Sequence, residues 1–235
     1  MKKKLDQFSG PLNPAEIAAG MNHANKNGKR LLADAKILFK AGRYPSAAAL
    51  AILSIEEFGK SGILRDLAVA KNQDEVRQAW REYRSHTRKN VMWILPYLAA
   101  AGAKRLHDFE VMWCDNASEH PKLLDMIKQI SIYTDCIGEK HWSFPETIID
   151  ADPAQGIINI AEILSNEGEI TEREIELWIK HMKPVWNKQW MDKAISNWYA
   201  EMQSEGLKPE GENVMEQFIR HGITSENGDK ESHEK

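Results

Sequence analysis

From Tyr44 to Ala70 the chain reads YPSAAALAILSIEEFGKSGILRDLAVA, and no other stretch restricts the fold so strongly. Between Ala47 and Ile55 almost every residue is small or aliphatic, so a helix formed here is apolar on all sides. Such a helix is stable only when other elements enclose it. The stretch therefore predicts the central helix of a helical bundle. Pro45 beside Ser46 suits its first turn, where no amide hydrogen is needed and proline's φ is already helical. Charge then interrupts the run. At about 100° per residue, Glu57 continues the stripe of Leu50, Leu53, Lys60 and Leu64, whereas Glu56 continues that of Ile52, Ile55, Gly59, Ile63 and Leu67. In either orientation one carboxylate meets apolar surroundings, and a buried charge needs a partner. Lys60 lies within reach of both, so Glu56, Glu57 and Lys60 are read as a structural polar cluster.

Core size is no constraint: 235 residues bury roughly 70 % of the unfolded surface. With a formal net charge of −4, no global cationic field draws the chain onto nucleic acid, and any such binding must come from a local patch. The only cysteines, Cys114 and Cys136, form no CxxC pair, which points to free thiols in a reducing cytoplasm. The basic start MKKKLDQFSGPLN lacks the apolar segment of a signal peptide, and the longest apolar run is the seven residues Ala47 to Leu53. The expectation is a cytoplasmic protein with no membrane association.

Residues 1 to 12 read as a loose lead-in. Asn13, Pro14 and Glu16 then mark a helix start, and the apolar positions Leu31, Leu32, Ala35, Leu38 and Phe39 carry that helix to about Ala41. Gly42 stops it, so the first two helices should form an antiparallel hairpin. Asn72 or Asp74 caps a third helix beginning at Glu75. A fourth covers Val91 to Ala101 and contains Pro96, and the two join between Thr87 and Pro96. Another helix runs from Pro121 to Gly138, with HWSFPE as a loop behind it. Asp152-Pro153 restarts helix up to Gly168. Thr171 with Glu174 forms a capping box, Pro184 closes that helix, and Asn187–Glu205 and Val214–Ile219 complete the fold. No strand-like alternation is visible. The expected fold is all-α: one helical domain over residues 13–222 and a disordered polar tail over 223–235.

Chemistry concentrates in EVRQAWREYRSHTRKN, Glu75 to Asn90. Arg77, Arg81, Arg84 and Arg88 recur at steps of four, three and four, which puts four guanidinium groups on one helical face. Such a ridge is either a solvated surface with scattered ion pairs or a phosphate-binding edge. His86 projects elsewhere: five residues from Arg81, it diverges by roughly 140° on a regular helix, so both reach one substrate only through a local distortion or a second chain. Glu82, Tyr83, Lys89 and Asn90 surround it at helical spacing, and the imidazole is either structural or chemically active. Trp178, Trp186, Trp190 and Trp198 are likewise either core or a base-stacking platform. Gly59-Lys60-Ser61 lacks the upstream glycine and strand of a phosphate loop. No histidine follows a glutamate at the spacing of a di-iron bundle, HExxH is absent, and neither a metal site nor a cofactor is expected.

The pattern LLADAKILFKAGRYPSAAALAILSIEEFGK from Leu31 to Lys60, above all AGRYPSA and EExGK, together with RSHTRKN from Arg84 to Asn90, resembles the AbiV family of abortive-infection proteins within the HEPN superfamily. The resemblance implies a HEPN-like antiparallel helical bundle with additional C-terminal helices, and usually a homodimer. Many HEPN proteins are metal-independent ribonucleases marked by Arg-x(4–6)-His, and Arg81 to His86 fits with four intervening residues. On that reading Arg81 and His86 are catalytic and are completed across a dimer, while Arg77, Arg84, Arg88, Lys89 and Asn90 hold RNA phosphates. Glu57 and Lys60 pair internally to fix the second helix against the third. The implied function is an anti-phage toxin that cleaves tRNA, rRNA or mRNA and halts translation or growth, with a phage-encoded activator as a further partner. The alternative is a non-catalytic AbiV-type protein that arrests growth by binding a phage or host protein or RNA.

Overall fold

In the computed structural model the described residues are 6–85, 89, 120–165, 168–186, 188 and 191–221. They form α1 (Pro14–Lys40), α2 (Tyr44–Val69), α3 (Gln73–Arg84), α4 (His120–Ile132), β1 (Asp135–Ile137), β2 (His141–Ser143), α5 (Pro145–Ile148), α6 (Ala151–Leu164), α7 (Glu172–Met182), α8 (Met191–Ser204) and α9 (Val214–His221). The expected helix from Val91 to Ala101, Cys114 and the tail over 223–235 lie outside the described residues.

Each start signal acts locally as its chemistry dictates. Asn13 caps α1 in a reciprocal box with Glu16 and Pro14 follows, and Thr171 with Glu174 does the same for α7. Asn72 accepts from the amides of Asp74 and Glu75 to open α3. Between α1 and α2 the chain reverses within three residues, with Gly42 at φ 71°, a conformation that excludes most side chains. The hairpin is antiparallel, because contacts pair early residues of α1 with late ones of α2: Ser54 Oγ donates to the Gly28 carbonyl at 2.8 Å, and Ser61 Oγ meets Asn25 Oδ1 at 3.3 Å.

The apolar helix α2 is enclosed as its composition requires, packed against α1, α3, α4, α6 and α7. At its N-terminal half Ala47, Ala48, Ala51, Ile52 and Ile55 join Leu32 and Ala35 of α1, Leu124 of α4 and Ala154, Ile157, Ile158 and Ala161 of α6. At its C-terminal half Leu64, Leu67 and Ala68 join Ile17 and Met21 of α1, Val76, Ala79 and Trp80 of α3, and Ile175 of α7. The fold is an all-α antiparallel bundle with further C-terminal helices.

Three expectations need correction. A short antiparallel hairpin, β1 with β2, replaces the C-terminal end of the expected Pro121–Gly138 helix and the HWS loop, Cys136 opposing Trp142. Strands of three residues are too short to show alternation. The segment FPE does not remain loop but starts α5 at Pro145. The lead-in is docked rather than loose over its described part: the Trp80 indole donates to the Gly10 carbonyl at 2.8 Å, and Phe8 meets Trp80 edge to face.

The C-terminal helices attach through specific contacts. Asn22 of α1 clamps the backbone before α7, donating to the Ile170 carbonyl at 2.7 Å and accepting from its amide at 2.9 Å. Trp178 lies edge to face with Trp186 and Trp198 and donates to the Arg65 carbonyl of α2 at 3.3 Å. These three rings are half-buried in the packing of the C-terminal helices, while Trp190 lies outside the described residues. Among the described residues no helix is long and apolar enough to cross a membrane.

Glu201 of α8 holds α7 through charge, meeting Lys180 and the His181 imidazole Nε2, the latter at 2.6 Å. Hydrogen bonds from Lys180 first and His181 second keep this carboxylate below the ordinary glutamate range. A depressed pKa stabilises the fold above the unfolded-state value, and that contribution disappears as pH falls through the depressed one. Acidification below the ordinary glutamate range is therefore expected to speed amide exchange in α8 before the α1–α2 core responds. Glu201→Gln should remove that pH dependence.

Candidate functional site

Helix α3 has one buried and one open side. Val76, Ala79 and Trp80 face the core, and Arg77, Arg81 and Arg84 are exposed. The three arginines are not equivalent. Arg77 pairs with Asp74, one turn earlier. Arg84 donates to the Phe8 carbonyl and lies over the Trp80 ring, so it also holds the lead-in. Arg81, among the described residues, meets no carboxylate; its guanidinium touches only the Gln78 side chain, whose amide in turn donates to Glu82 at 2.5 Å. Of the described arginines on this face, Arg81 is thus the one most available to an outside anion.

Helix α3 ends at Arg84, and Ser85 leaves helical backbone with φ −82° and ψ 130°. The roughly 140° divergence expected between Arg81 and His86 holds only along an unbroken helix, so it does not apply across this stop. The same stop removes the helical spacing assumed from Glu82 and Tyr83 to His86. His86, Arg88 and Asn90 themselves lie outside the described residues.

The structure separates the three polar residues of α2 into two pairings. Lys60 Nζ binds Glu57 at 2.6 Å and sits 5.2 Å from the centre of the Tyr83 ring, which ties α2 to α3 as anticipated for these two. Glu56 does not use Lys60. The residue is 2 % exposed, with Lys128 of α4 at 2.6 Å from Oε1 and Lys89 at 3.4 Å from Oε2. Lys128 also meets Asp125 at 2.8 Å. Burial alone would lower the pKa of this ammonium, but the hydrogen bonds to Asp125 and Glu56, with their charges, outweigh it and hold the pKa above the ordinary lysine value. Lys89 is placed differently from the sequence expectation: at 7 % exposure it is buried against Glu56, not open beside the arginines.

Gly59, one turn after Glu56, completes this arrangement. A Cβ there would lie 2.0 Å from the Lys89 carbonyl oxygen, so the backbone at Lys89 approaches α2 through a gap that only glycine leaves. The polar and glycine positions of EEFGK are thereby accounted for. Glu56 and Gly59 receive Lys89, and Glu57 pairs with Lys60, which lies beside Tyr83. Sequence reasoning found the motif and missed its use, because Lys89 and Lys128 are remote in the chain and no local spacing signals them.

A separate cavity of about 40 Å³ lies between Arg65, Ile170, Glu174, Trp198 and Lys208. It is far smaller than the roughly 300–1,000 Å³ of ordinary small-molecule sites. The surface of α3 and its continuation remains the candidate site.

The model of the HEPN-type AbiV family matches residues 16–166. The chain belongs to the AbiV family. Its HEPN-type abortive-infection region therefore spans α1 to α6, including EEFGK, Arg81 and His86, while α7 to α9 lie beyond the matched residues. No curated protein and no solved structure gave a significant match. Within the AbiV region α2 carries two polar pairings, Glu57 with Lys60 beside Tyr83 of α3 and Glu56 with Lys128 of α4 and Lys89.

Proposed function

We propose that this AbiV chain is an anti-phage effector that acts as a metal-independent, HEPN-type endoribonuclease and halts translation or growth on infection. The observation that carries the reading is Arg81: exposed, without a carboxylate partner among the described residues, and followed within one turn by the end of α3. An imidazole with a reference pKa near 6.5 can take a proton from a ribose 2′-hydroxyl or return one to the leaving 5′-oxygen. A guanidinium beside it stabilises the extra negative charge on phosphorus. Arg77, Arg84, Arg88 and Asn90 then steady flanking phosphates, and a homodimer brings Arg81 and His86 of two chains together.

The test is cleavage of tRNA, rRNA and mRNA by the purified protein without added metal. Arg81→Ala should lower kcat by about 10²–10³-fold and His86→Ala by about 10²–10⁴-fold, with circular dichroism unchanged. No cleavage by the unaltered protein, or full cleavage by both variants, overturns the proposal.

A second reading, growth arrest by binding a phage or host protein, is favoured by one surface. Leu123, Met126, Tyr133, Trp142 and Phe144, from α4 and the hairpin behind it, are all exposed, Trp142 to 76 %. Exposed aromatic and apolar groups on consecutive elements suit protein docking. If this reading holds, Trp142→Asp abolishes growth arrest while Arg81→Ala and His86→Ala retain it.

A further inference from the structure

We infer that the lead-in belongs to the anion-binding face of α3: Phe8, seated against the Trp80 ring, is a positioning residue that holds the Arg84 guanidinium ready for an RNA phosphate. The choice of RNA as ligand rests on the ribonuclease reading above, whereas the hold on Arg84 does not.

The contacts converge on two residues of α3. Trp80 is 9 % exposed and joins Ile17, Met21, Leu64 and Ile175 in the core, so its ring is a fixed base. Its indole donates to the Gly10 carbonyl at 2.8 Å, and Phe8 meets it edge to face with ring centres 6.1 Å apart. The Arg84 guanidinium lies over the same ring, 5.2 Å from its centre, and donates to the Phe8 carbonyl. Gly10 matters for what it lacks: a Cβ there would fall 2.8 Å from the tip of the Phe8 ring, so the bare position lets that ring fold back over the chain. Arg84 is nonetheless exposed and meets no carboxylate among the described residues. A guanidinium carries five N–H donors, so one carbonyl leaves it able to take a phosphate through two parallel hydrogen bonds. The nature of the anchor is what favours a ligand. A carboxylate would have oriented Arg84 and cancelled its charge, as Asp74 does for Arg77, whereas a carbonyl and a ring face orient it and leave the charge in place. A free arginine loses rotamer freedom when it takes up a phosphate; Arg84 has already given much of it up on folding, so the phosphate is bound at a lower entropic cost.

The test is binding of a short 2′-O-methyl oligonucleotide, which lacks a free 2′-hydroxyl and so is not cut, to the full chain, read by fluorescence anisotropy over a range of salt concentrations. Arg84→Gln should weaken binding by about tenfold and reduce the slope of log affinity against log salt by about 0.7, the loss of one phosphate contact. Phe8→Ala should weaken binding by about two- to tenfold with the slope unchanged, because the charge stays and only its ordering is shifted to the binding step. In the Arg84→Gln background Phe8→Ala should cause no further loss, which a merely structural role of the lead-in would not produce. Should Phe8→Ala not fold, Gly10→Ala, which displaces the same ring, takes its place. Full affinity in the lead-in variant, a loss that adds to that of Arg84→Gln, or an unchanged salt slope in Arg84→Gln overturns the inference. So does a failure of the unaltered protein to bind the oligonucleotide, even if it cleaves tRNA. Binding with this coupling but without cleavage of tRNA sinks the ribonuclease reading alone and leaves the role of Phe8 standing.

Discussion

Glu56→Ala is expected to lower the unfolding free energy by about 3–5 kcal/mol, the cost of removing one partner from a buried ion cluster. The loss comes mainly from what stays behind. Lys128 retains Asp125, but Lys89 is left as a buried ammonium facing the place of its carboxylate. A small cavity in an otherwise close-packed region adds to the loss. Chemical denaturation read by circular dichroism measures the effect, and a change under about 1 kcal/mol would contradict the compensation argued here. The control is to remove the whole cluster: Glu56→Leu with Lys89→Met and Lys128→Met should recover most of the stability, because replacing all members of a buried ion cluster by apolar groups of similar size is often neutral or better. The pH dependence has a definite sign. The Lys128 pKa is raised on folding, so its contribution is full below the ordinary lysine value and is lost as pH rises through the raised one.

Gly59→Ala should be destabilising by about 1–3 kcal/mol, although the same change in an exposed helix interior stabilises by about 1 kcal/mol. The reversal follows from the contact. The added Cβ would fall 2.0 Å from the Lys89 carbonyl oxygen and 2.9 Å from its carbonyl carbon, and a backbone group cannot turn aside as a flexible side chain would. Either α2 and the chain at Lys89 part, or Glu56 loses its 3.4 Å ion pair. Gly62, three residues later on the same helix, provides the comparison: a Cβ there meets nothing within 4 Å, so Gly62→Ala should gain stability. Equal and favourable shifts in melting temperature for both variants would show that position 59 admits a side chain after all.

The cleavage of α2 into two functions explains why its motif was easier to see than to interpret. An all-round apolar segment followed by two glutamates states that a charge will be buried, and the helical period narrows the choice to Glu56 or Glu57. Local spacing then offers Lys60 to both. Lys60 took Glu57, and Glu56 paired instead with Lys128, 72 residues away in the chain. Nothing in the spacing of a sequence encodes a partner at that separation. Gly59 was equally silent, since a glycine within a helix has the same local signature whether its missing side chain admits another backbone or admits only solvent. The arginine face of α3 was legible from the steps of four and three that join Arg77, Arg81 and Arg84, but not the separate engagement of Arg84 with Phe8 and Trp80, nor of Arg77 with Asp74.

By itself the sequence determined the all-α class, the α1–α2 hairpin, the helix starts at Asn13 and Thr171, and membership of the AbiV family, because caps, glycine stops and apolar periodicity are short-range properties that few residues decide. The tertiary structure decided which lysines neutralise Glu56, why position 59 lacks a side chain, where α3 ends relative to Arg81, and that the lead-in docks on Trp80. These depend on desolvation and close contact between segments far apart in the chain, and such energies arise only once the helices have packed.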